Sequence, residues 1–411
     1  MGPRGVTARE VLVAGHICLD IIPDLGTCKG NLTQWLLPGR LINTGPARLS
    51  GGGCVSNTGL ALHRLGVPVR LVGKIGDDLF GSALRSIFED TASGLSDGLI
   101  VSASDPTSYT LVLSPPDVDR VFFLYPGAND TSGAADLCPA IPPHGGLLHF
   151  GYPPLMLRMC TQEGSELVEV LRHAQTSGYT VSLDTAWPDP LSEKGRAPWP
   201  TILRRALPFV DLFLPSLEEL LQMLEHERTA AKFGLRLDDA GRLAGLGGLR
   251  ELADLMIEWG AAVVLLKLGD QGLYLRSTPD RTRIEELSHR AEGAASWLDR
   301  ELYVPAYKAE AVGATGAGDS AIAGFLTGWN RDFSPEAAVL LAAASGACSV
   351  EAPDATSGVT TVEQIARRQA AGWPQHRPPF ELPGWGTGEN GAVRLSPQDA
   401  RRTSPLREQR K

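Results

Sequence analysis

Apolar residues along most of the chain occur in two alternating patterns. Short, nearly continuous apolar runs such as VLVAGHICLDII, YTVSLDTAW and AAVVLLKL are typical of strands that are covered on both faces of a sheet. They alternate with segments such as NTGLALHRLG and SELVEVLRHAQTSG, in which apolar residues recur at helical spacing. Strands that alternate with helices favour a parallel sheet with crossover helices on its faces, so we predict an α/β fold.

Two segments do not follow this rhythm. KGNLTQWLLPGRLINTGPARLS, residues 29–50, is rich in turn-forming residues and shows no helical period. TSYTLVLSPPDVDRVFFLYPG, residues 107–127, has the pattern of two strands that are joined by a Pro-Pro-Asp turn. Strands outside the βαβ rhythm predict a small separate sheet, and we expect this sheet to cover a cleft.

The composition of the chain changes at about Gly372. The segment that follows is rich in Pro, Gly and charged residues and has few aliphatic side chains to bury. Such a composition is typical of disorder. We therefore expect one folded domain over residues 8–368 and a disordered C-terminal tail over residues 372–411.

Charge and cysteine content narrow the class of protein. The 411 residues carry a formal net charge of −9, whereas a non-specific nucleic-acid binder is usually basic, so we expect no nucleic-acid partner. The six cysteines and eight histidines are scattered, without the close pairs of zinc or redox motifs. The first apolar run is too short, and too closely flanked by Glu10 and Asp20, for a signal peptide or a membrane span. We expect a cytoplasmic protein with no membrane partner.

The stretch AVGATGAGDSAIAGFLTG, which begins at Ala311, combines a glycine turn with the start of an apolar helix. Gly316, Ala317 and Gly318 present backbone amides without a bulky side chain in the way, and the helix N-terminus adds a partial positive charge. Together they predict an anion hole that suits a phosphate group. Asp319 lies at its mouth, where it could accept a proton from a substrate hydroxyl. The alternative is that Asp319 only caps the helix.

A second glycine-rich turn, in SGGGCVSNTGLALHRLG, precedes another predicted helix. Gly52 and Gly53 would let the backbone approach a ligand closely, and the amide of Asn57 would bind a polyol or cap the helix. Asp20 closes the first predicted strand, and ligands of open α/β sheets bind at the carboxyl ends of strands. The alternatives are an ordinary turn and a turn-starting aspartate.

KLGDQG joins two predicted strands. Its glycines, Gly269 and Gly272, could carry a nucleotide over the backbone. Taken alone, the fragment favours a plain β-hairpin.

Together and in this order, the segments resemble the ribokinase-like family of carbohydrate kinases, also called the PfkB family. GGCVSNTGLALHRLG resembles the first family motif, and GATGAGDS resembles the second, whose core is Gly-Ala-Gly-Asp. Between them, VGKIGDDLFG, YPGAND, VDLFLPSLEEL and KLGDQG follow in the family's usual order. The resemblance spans about residues 11–365.

The resemblance implies a ribokinase-like three-layer sandwich with a central, mostly parallel sheet and a small β lid from about residues 21–50 and 100–124. It implies an ATP-dependent phosphotransferase that moves the γ-phosphoryl group to a hydroxyl of a sugar, nucleoside or related small alcohol, with Mg²⁺ bound to ATP. Lids of this family sometimes pair, so we also consider a homodimer. The implied roles are general base for Asp319, anion hole for Gly316, Ala317 and Gly318, acceptor binding for Asp20, Gly52, Gly53 and Asn57, and nucleotide binding for Lys267, Gly269 and Gly272.

The chain departs from the family pattern at three places. Gly313 and Ala314 replace the usual Asp-Thr pair, which puts activation by a monovalent cation in doubt. Ser216 replaces the asparagine of an Asn-x-x-Glu motif in which Glu219 is kept, which bears on metal or phosphate organisation. After VSLD the common Pro-Asn pair is absent, which is consistent with a different substrate subgroup.

Two other classes of function are alternatives to a kinase. A non-catalytic relative that binds a sugar or a nucleotide would carry similar motifs, and Ser216 and Gly313 leave this alternative open. A dinucleotide-dependent oxidoreductase would need Gly-x-Gly-x-x-Gly just after the first strand, where the chain reads DIIPDLG. We therefore expect a kinase, and the residues leave its acceptor open.

Overall fold

The structure is a computed structural model that describes residues 9–26, 28, 32–35, 37–115, 120–238, 242–288, 293–313, 315–388 and 391–403. Its strands, numbered in chain order, are β1 (Val11–Gly15), β2 (Cys18–Pro23), β3 (Ala47–Gly52), β4 (Val69–Val72), β5 (Lys74–Gly76), β6 (Ile100–Ser102), β7 (Tyr109–Leu113), β8 (Val121–Tyr125), β9 (Gly146–Gly151), β10 (Tyr179–Leu183), β11 (Leu212–Phe213), β12 (Val263–Lys267), β13 (Leu273–Ser277), β14 (Glu301–Val304), β15 (Gly386–Thr387) and β16 (Arg394–Leu395). Its α-helices are α1 (Leu32–Trp35), α2 (Gly53–Arg64), α3 (Leu79–Thr91), α4 (Ala128–Thr131), α5 (Ala134–Leu137), α6 (Leu157–Cys160), α7 (Ser165–Thr176), α8 (Trp199–Ala206), α9 (Leu217–Met223), α10 (His226–Phe233), α11 (Leu249–Glu258), α12 (Arg281–Ser288), α13 (Ala317–Asn330), α14 (Pro335–Val350), α15 (Val362–Ala370) and α16 (Pro397–Thr403).

A ten-stranded sheet forms the centre of the fold, in the order β15-β16-β14-β13-β12-β11-β10-β9-β1-β4. The strands from β12 to β4 pair in parallel. The pairs from β12 to β15 are antiparallel. The sheet is therefore mixed, and the carboxyl ends of β1, β9, β10, β11 and β12 lie along one edge.

Successive residues of the parallel strands are buried in two separate cores. Val11 and Val13 of β1 belong to one buried apolar cluster, and Leu12 and Ala14 belong to another. Because successive side chains of a strand point to opposite faces, the two clusters lie on opposite faces of the sheet. Helices α2, α13 and α14 contribute to the first cluster, and α7, α8 and α11 to the second. This confirms the predicted three-layer α/β sandwich.

The predicted start of α14 and the predicted end of α2, each marked by a capping residue, are confirmed. Ser334, the predicted N-cap of α14, accepts a hydrogen bond from the amide of Ala337 at 3.3 Å. Gly66 follows α2 with a φ of +79°, as a glycine just beyond a helix end commonly does. Across the ranges given above, no helix combines the length and the apolar character that a membrane span needs.

A separate four-stranded sheet, in the order β3-β2-β7-β8, forms the predicted lid. β7 and β8 are antiparallel, as their sequence pattern predicts. Most of the Pro-Pro-Asp turn between them lies outside the described residues. The prediction that the lid includes residues from 100 onward is wrong for β6, which pairs with β5 in a small sheet of its own.

The first predicted strand is divided between the two large sheets. β1 pairs with β4 and β9 in the central sheet, whereas β2 pairs with β3 and β7 in the lid. Asp20 therefore lies within a lid strand, and its expected place at the carboxyl end of a parallel strand is wrong. The apolar run gives no sign of the break, because β1 and the start of β2 are both buried.

The C-terminal segment is ordered over residues 372–388 and 391–403, so the prediction of a disordered tail is wrong there. β16 pairs with β14 and β15 pairs with β16, which extends the central sheet. Val393 and Leu395 are each 3% exposed. These few apolar side chains are enough to hold the segment in place, because it packs on the edge of an existing sheet and does not form a core of its own. The rest of the predicted tail lies outside the described residues.

Asp399→Ala is expected to destabilise the protein if this segment is docked. The carboxylate of Asp399 accepts hydrogen bonds from Arg300 Nε at 2.7 Å and from the amide of Glu301 at 2.6 Å, and Asp399 is 1% exposed. Removing one partner of a buried ion pair typically costs about 3–5 kcal/mol. Thermal unfolding followed by circular dichroism should therefore show a clearly lower Tm. Arg401→Ala changes an exposed residue of the same helix and is the matched control; equal Tm values would contradict the docking.

Candidate active site

The parallel strands bring several polar side chains to one edge of the central sheet. His16 follows β1, Tyr152 follows β9 and Asp184 follows β10, while Lys267 is the last residue of β12. Parallel pairing in register aligns the ends of these strands. Ligands of open α/β sheets bind outside this edge, so it is the expected place for a site.

Helix α13 begins at this edge with the predicted anion hole. Gly316, its N-cap, has a φ of +74°, a left-handed conformation that favours glycine. A Cβ on Gly316 would lie 2.6 Å from the carbonyl oxygen of Ala355, so a larger residue would not fit. The first amides of a helix lack intrahelical acceptors, and its N-terminus carries a partial positive charge. The turn is therefore suited to receive an anion.

Asp319 is the third residue of α13, so the alternative that it is the N-cap is wrong. It is 4% exposed. Asn57 Nδ2 donates to Asp319 Oδ2 at 3.2 Å, and Thr58 Oγ1 donates to Oδ1 at 3.1 Å. The hydroxyl of Tyr152 lies 2.8 Å from Oδ1 and 2.7 Å from Oδ2. Side chains from two distant parts of the chain, α2 and the residue after β9, thus converge on this carboxylate.

Asn57 does not cap α2. It lies inside that helix, and its side-chain amide donates across to Asp319. Its Oδ1 atom is buried and has no hydrogen-bond partner among the described residues. This unpaired oxygen could accept a hydrogen bond from a hydroxyl of the substrate, which supports the prediction that Asn57 binds the substrate.

Burial raises the pKa of the Asp319 carboxyl, because the charged form loses its hydration. The hydrogen bond from Tyr152 and the positive charge of Lys267 oppose this rise. A carboxylate with a raised pKa binds a proton more strongly than an exposed one. Asp319 is therefore better suited than an exposed aspartate to accept a proton from a hydroxyl.

Lys267 is a buried cation among several acids. Its Nζ donates to Asp184 Oδ1 at 2.6 Å, and the two residues are 9% and 1% exposed. Burial acts to lower the pKa of Lys267, but the charges of Asp184 and Glu219 outweigh it and raise that pKa. Burial raises the pKa of Asp184, and the attraction of Lys267 opposes this rise. One ammonium group thus lies near three carboxyl groups, those of Asp184, Glu219 and Asp319, of which the first and the last are buried.

The ammonium group of Lys267 also lies beside the predicted anion hole. A Cβ on Gly318 would be 3.8 Å from Lys267 Nζ, which is an ordinary contact distance. The predicted assignment of Lys267 to the nucleotide site therefore places a positive charge next to the N-terminus of α13. Both features favour a bound anion.

Ser216 and Glu219 form a reciprocal cap at the start of α9. Ser216 Oγ accepts from the amide of Glu219 at 3.2 Å, and Glu219 Oε2 accepts from the amide of Ser216 at 2.9 Å. Thr185 Oγ1 donates to the same Oε2 atom at 2.9 Å. Serine in place of asparagine therefore still fixes Glu219 near the Lys267–Asp184 pair.

Asp20, Gly52 and Gly53 meet where the lid joins α2. A Cβ on Gly52 would overlap the Asp20 carboxylate. Gly53 has a φ of +79°, and a Cβ there would lie 2.5 Å from the carbonyl oxygen of His16. Burial raises the pKa of Asp20 to about 6. The glycines thus let Asp20 and the β1–β2 connection pack closely against the start of α2.

Gly269 and Gly272 form a tight turn between the antiparallel strands β12 and β13, as the hairpin alternative predicts. A Cβ on Gly272 would overlap the carbonyl oxygen of Val304, so packing alone accounts for this glycine. No heavy atom beyond the chain neighbours of Gly269 lies within 4 Å of a Cβ built on it. Of the two glycines, Gly269 is therefore the one that packing does not account for.

Tyr152 and Asp184 are site residues that no motif in the sequence marks. Asp184 directly follows the apolar run YTVSL, and Tyr152 follows the run LLHFG. The only sequence signal that could have identified them as site residues was their position directly after a predicted buried strand. Their importance becomes visible only when the sheet order brings them to Lys267 and Asp319.

Comparison with known proteins shows the family of this chain. The sequence profile of the pfkB family carbohydrate kinases matches residues 9–362. The chain belongs to the PfkB family. Membership confirms the resemblance and the expected class of enzyme, an ATP-dependent sugar or nucleoside kinase.

Relatives of this PfkB protein are named for different acceptors. It is 23% identical over 270 residues to an uncharacterized sugar kinase of Archaeoglobus fulgidus, which covers 66% of this chain and 86% of the relative. It is 22% identical over 376 residues to a nucleoside kinase of Methanothermobacter thermautotrophicus, which covers 90% and 99%. It is 25% identical over 355 residues to an ATP-dependent ribose-1-phosphate kinase of Halopiger xanaduensis, which covers 85% and 95%.

Solved structures of ribokinases share the fold of this PfkB protein. A ribokinase from Thermotoga maritima superposes with a TM-score of 0.62 at 19% identity, over 88% of this chain and 99% of the other. A ribokinase of Arabidopsis thaliana, complexed with ribose and ATP, gives a TM-score of 0.65 at 18% identity, over 88% and 98%. At these identities the likeness establishes the ribokinase fold.

Proposed function

We propose that this PfkB protein transfers the γ-phosphoryl group of ATP to an acceptor hydroxyl, with Asp319 as the general base. One observation carries the proposal: the Asp319 carboxylate is buried in the first turn of α13, which begins at Gly316, and Lys267 lies beside the same turn. In-line phosphoryl transfer needs a proton acceptor and an anion site side by side, because the hydroxyl loses a proton while negative charge spreads over the phosphoryl oxygens.

In the proposed step, the acceptor oxygen forms a bond to the γ-phosphorus while the bond from that phosphorus to the β–γ bridging oxygen breaks. The hydroxyl proton passes to Asp319, and ADP leaves with the bridging oxygen. The amides of Gly316, Ala317 and Gly318 would stabilise charge on the transferred phosphoryl oxygens. The charge of Lys267 would add to this stabilisation.

The binding residues are proposed in the same roles that the family resemblance implies. Asn57 supports the acceptor site through its unpartnered Oδ1 atom and through its bond to the base. Gly269, whose Cβ position has no neighbour within 4 Å, is proposed for the nucleotide near the β12–β13 turn. The remaining assignments are Asp20, Gly52 and Gly53 for the acceptor and Lys267 and Gly272 for the nucleotide.

Mg²⁺ would bind together with ATP and would neutralise part of the negative charge of the phosphates. In the parts of the chain that the structure describes, no group of three or more His, Cys, Asp or Glu side chains could hold a metal ion. Mg²⁺ is proposed to be held mainly by phosphates and water. Ser216 uses its hydroxyl in the α9 cap, so Glu219 and Asp184 are the residues that would hold such an ion's water ligands.

Asp319→Asn is expected to lower kcat by about 10²–10⁴-fold, because the amide keeps the size of the side chain but cannot accept the proton. KM for ATP should change little. The measurement is ADP release with ribose, fructose, ribose 1-phosphate and nucleosides as acceptors. Asp97→Asn removes an exposed carboxylate outside the site and is the control. An Asp319→Asn enzyme that retains more than about half of wild-type turnover would rule out the general-base role.

Activity is expected to be nearly insensitive to potassium. Gly313 offers no carboxylate ligand, and Ala314 lies outside the described residues. The carbonyl oxygen of Val350 already accepts from the amide of Gly313 at 3.1 Å. Asp354, another source of charge, has its Oδ1 engaged by two amides of its own loop at 3.0 and 2.7 Å.

The potassium test replaces K⁺ with choline at constant ionic strength and follows initial rates across the titration. The expected result is a flat dependence, because cation sites rely on charged oxygen ligands. Activation of more than about fivefold, roughly 1 kcal/mol, would contradict the inference from Gly313.

We also propose that two lids pair in a homodimer. β8 is the last strand of the lid sheet, and Phe122, Phe123 and Tyr125 are 53%, 50% and 41% exposed. An exposed apolar edge strand is a template for pairing with another strand.

Phe123→Lys is therefore expected to shift the mass measured by light scattering from dimer to monomer, whereas Leu191→Lys, at an 84% exposed residue, should not. A wild-type protein that is monomeric at all concentrations would contradict this proposal.

A further inference from the structure

The hydroxyl of Tyr152 lies against both oxygens of the proposed general base. Its distances to Asp319 Oδ1 and Oδ2 are 2.8 and 2.7 Å. Asn57 and Thr58 donate to the same two oxygens from within α2. The donors from α2 are held by a buried helix, whereas Tyr152 is only partly buried. Tyr152 is therefore the donor that a ligand could most easily replace.

An acceptor hydroxyl must reach the same carboxylate in order to lose its proton. Asp319 is 4% exposed, so little of it is open to a ligand while Tyr152 stays in place. The phenol also presents the same chemical group as an acceptor, an O–H that donates to the base. Tyr152 thus occupies the place of the acceptor hydroxyl on Asp319.

The backbone holds Tyr152 in an unusual conformation. Its φ and ψ are +64° and +40°, a left-handed conformation that non-glycine residues rarely adopt. A Cβ on the preceding residue, Gly151, would overlap the side chain of Cys54. Pro153 restricts the chain on the other side, and the Tyr152 ring lies 6.2 Å from the ring of His16. Such a conformation persists where the surroundings fix it, and it is concentrated at functional sites.

The Tyr152 hydroxyl remains protonated at neutral pH. Burial raises its pKa well above the ordinary value, and the charges of Asp319 and Asp184 act in the same direction. The phenol therefore stays a hydrogen-bond donor to the carboxylate. A water molecule that approached Asp319 would compete with this donor.

We propose that Tyr152 guards the general base: its hydroxyl occupies Asp319 until an acceptor hydroxyl displaces it, and this keeps water from attacking ATP. The inference rests on the proposed function. In the reaction that Tyr152 suppresses, a water oxygen bonds to the γ-phosphorus, the bond to the bridging oxygen breaks, and Asp319 takes a proton from water. The products are ADP and inorganic phosphate. Tyr152 is a positioning residue here, because it acts through Asp319.

The test is acceptor-independent ATP hydrolysis by Tyr152→Phe and Tyr152→Leu. Both changes remove the hydroxyl, so both should raise the rate of phosphate release without acceptor by at least about fivefold. Tyr307→Phe is the matched control, since it removes a tyrosine hydroxyl that accepts from Gln369 Nε2 at 3.0 Å. The rise should disappear when Asp319→Asn is added to Tyr152→Phe. A structural role alone would lower the Tm without this gain in hydrolysis.

The outcomes separate this inference from the proposed function. If the wild-type protein phosphorylates an acceptor but both Tyr152 variants hydrolyse ATP at the wild-type rate, the proposed role of Tyr152 is wrong and the kinase mechanism is not affected. If mass spectrometry finds phosphate on Tyr152 after incubation with ATP, the guard is also wrong, because the hydroxyl then attacks ATP instead of shielding the base. If neither transfer nor hydrolysis occurs in any variant, both proposals fail.

Discussion

The ion pair between Lys267 and Asp184 is the interaction on which the active-site edge depends. Carboxyl groups of Asp184 after β10, Glu219 in α9 and Asp319 in α13 lie near one another, and Asp184 and Asp319 are buried, so mutual repulsion would oppose such an arrangement. Lys267, at the end of β12, supplies one positive charge at 2.6 Å from Asp184. It does not balance all the acids, and burial still raises the pKa of Asp184. The edge therefore keeps an affinity for further positive charge and for protons.

This electrostatic arrangement explains why the site needs the whole sheet. Each charged group is fixed by a different element: Asp184 by the end of β10, Glu219 by the Ser216 cap, and Asp319 by the start of α13. No two of them are close in sequence, so only the parallel order of the strands brings them together. The same order places the helix N-terminus, which favours anions, beside a base that is held by its own hydrogen bonds. The departure at Ser216 leaves this frame intact, because serine caps α9 and still fixes Glu219.

The features that depend on local sequence pattern were predicted correctly. The features that depend on contacts between distant residues were not. The alternation of buried runs and helical segments predicted the sandwich, and the ordered motifs identified the family. The break between β1 and β2 was missed because both are apolar where they meet. The tail was misjudged because Val393 and Leu395 are few, yet they cover the edge of β14. Tyr152 was missed since no local pattern shows that its hydroxyl reaches a carboxylate 167 residues further along the chain.

The central claim is that this edge transfers a phosphoryl group to a hydroxyl. The most direct measurement is ³¹P NMR of the wild-type protein with ATP, Mg²⁺ and a panel of sugars and nucleosides. The account predicts that the γ-phosphorus signal of ATP is replaced by that of a phosphate monoester with at least one acceptor, while inorganic phosphate stays low. If the γ-phosphorus remains in ATP, or appears only as inorganic phosphate with every acceptor of the panel, the account is contradicted.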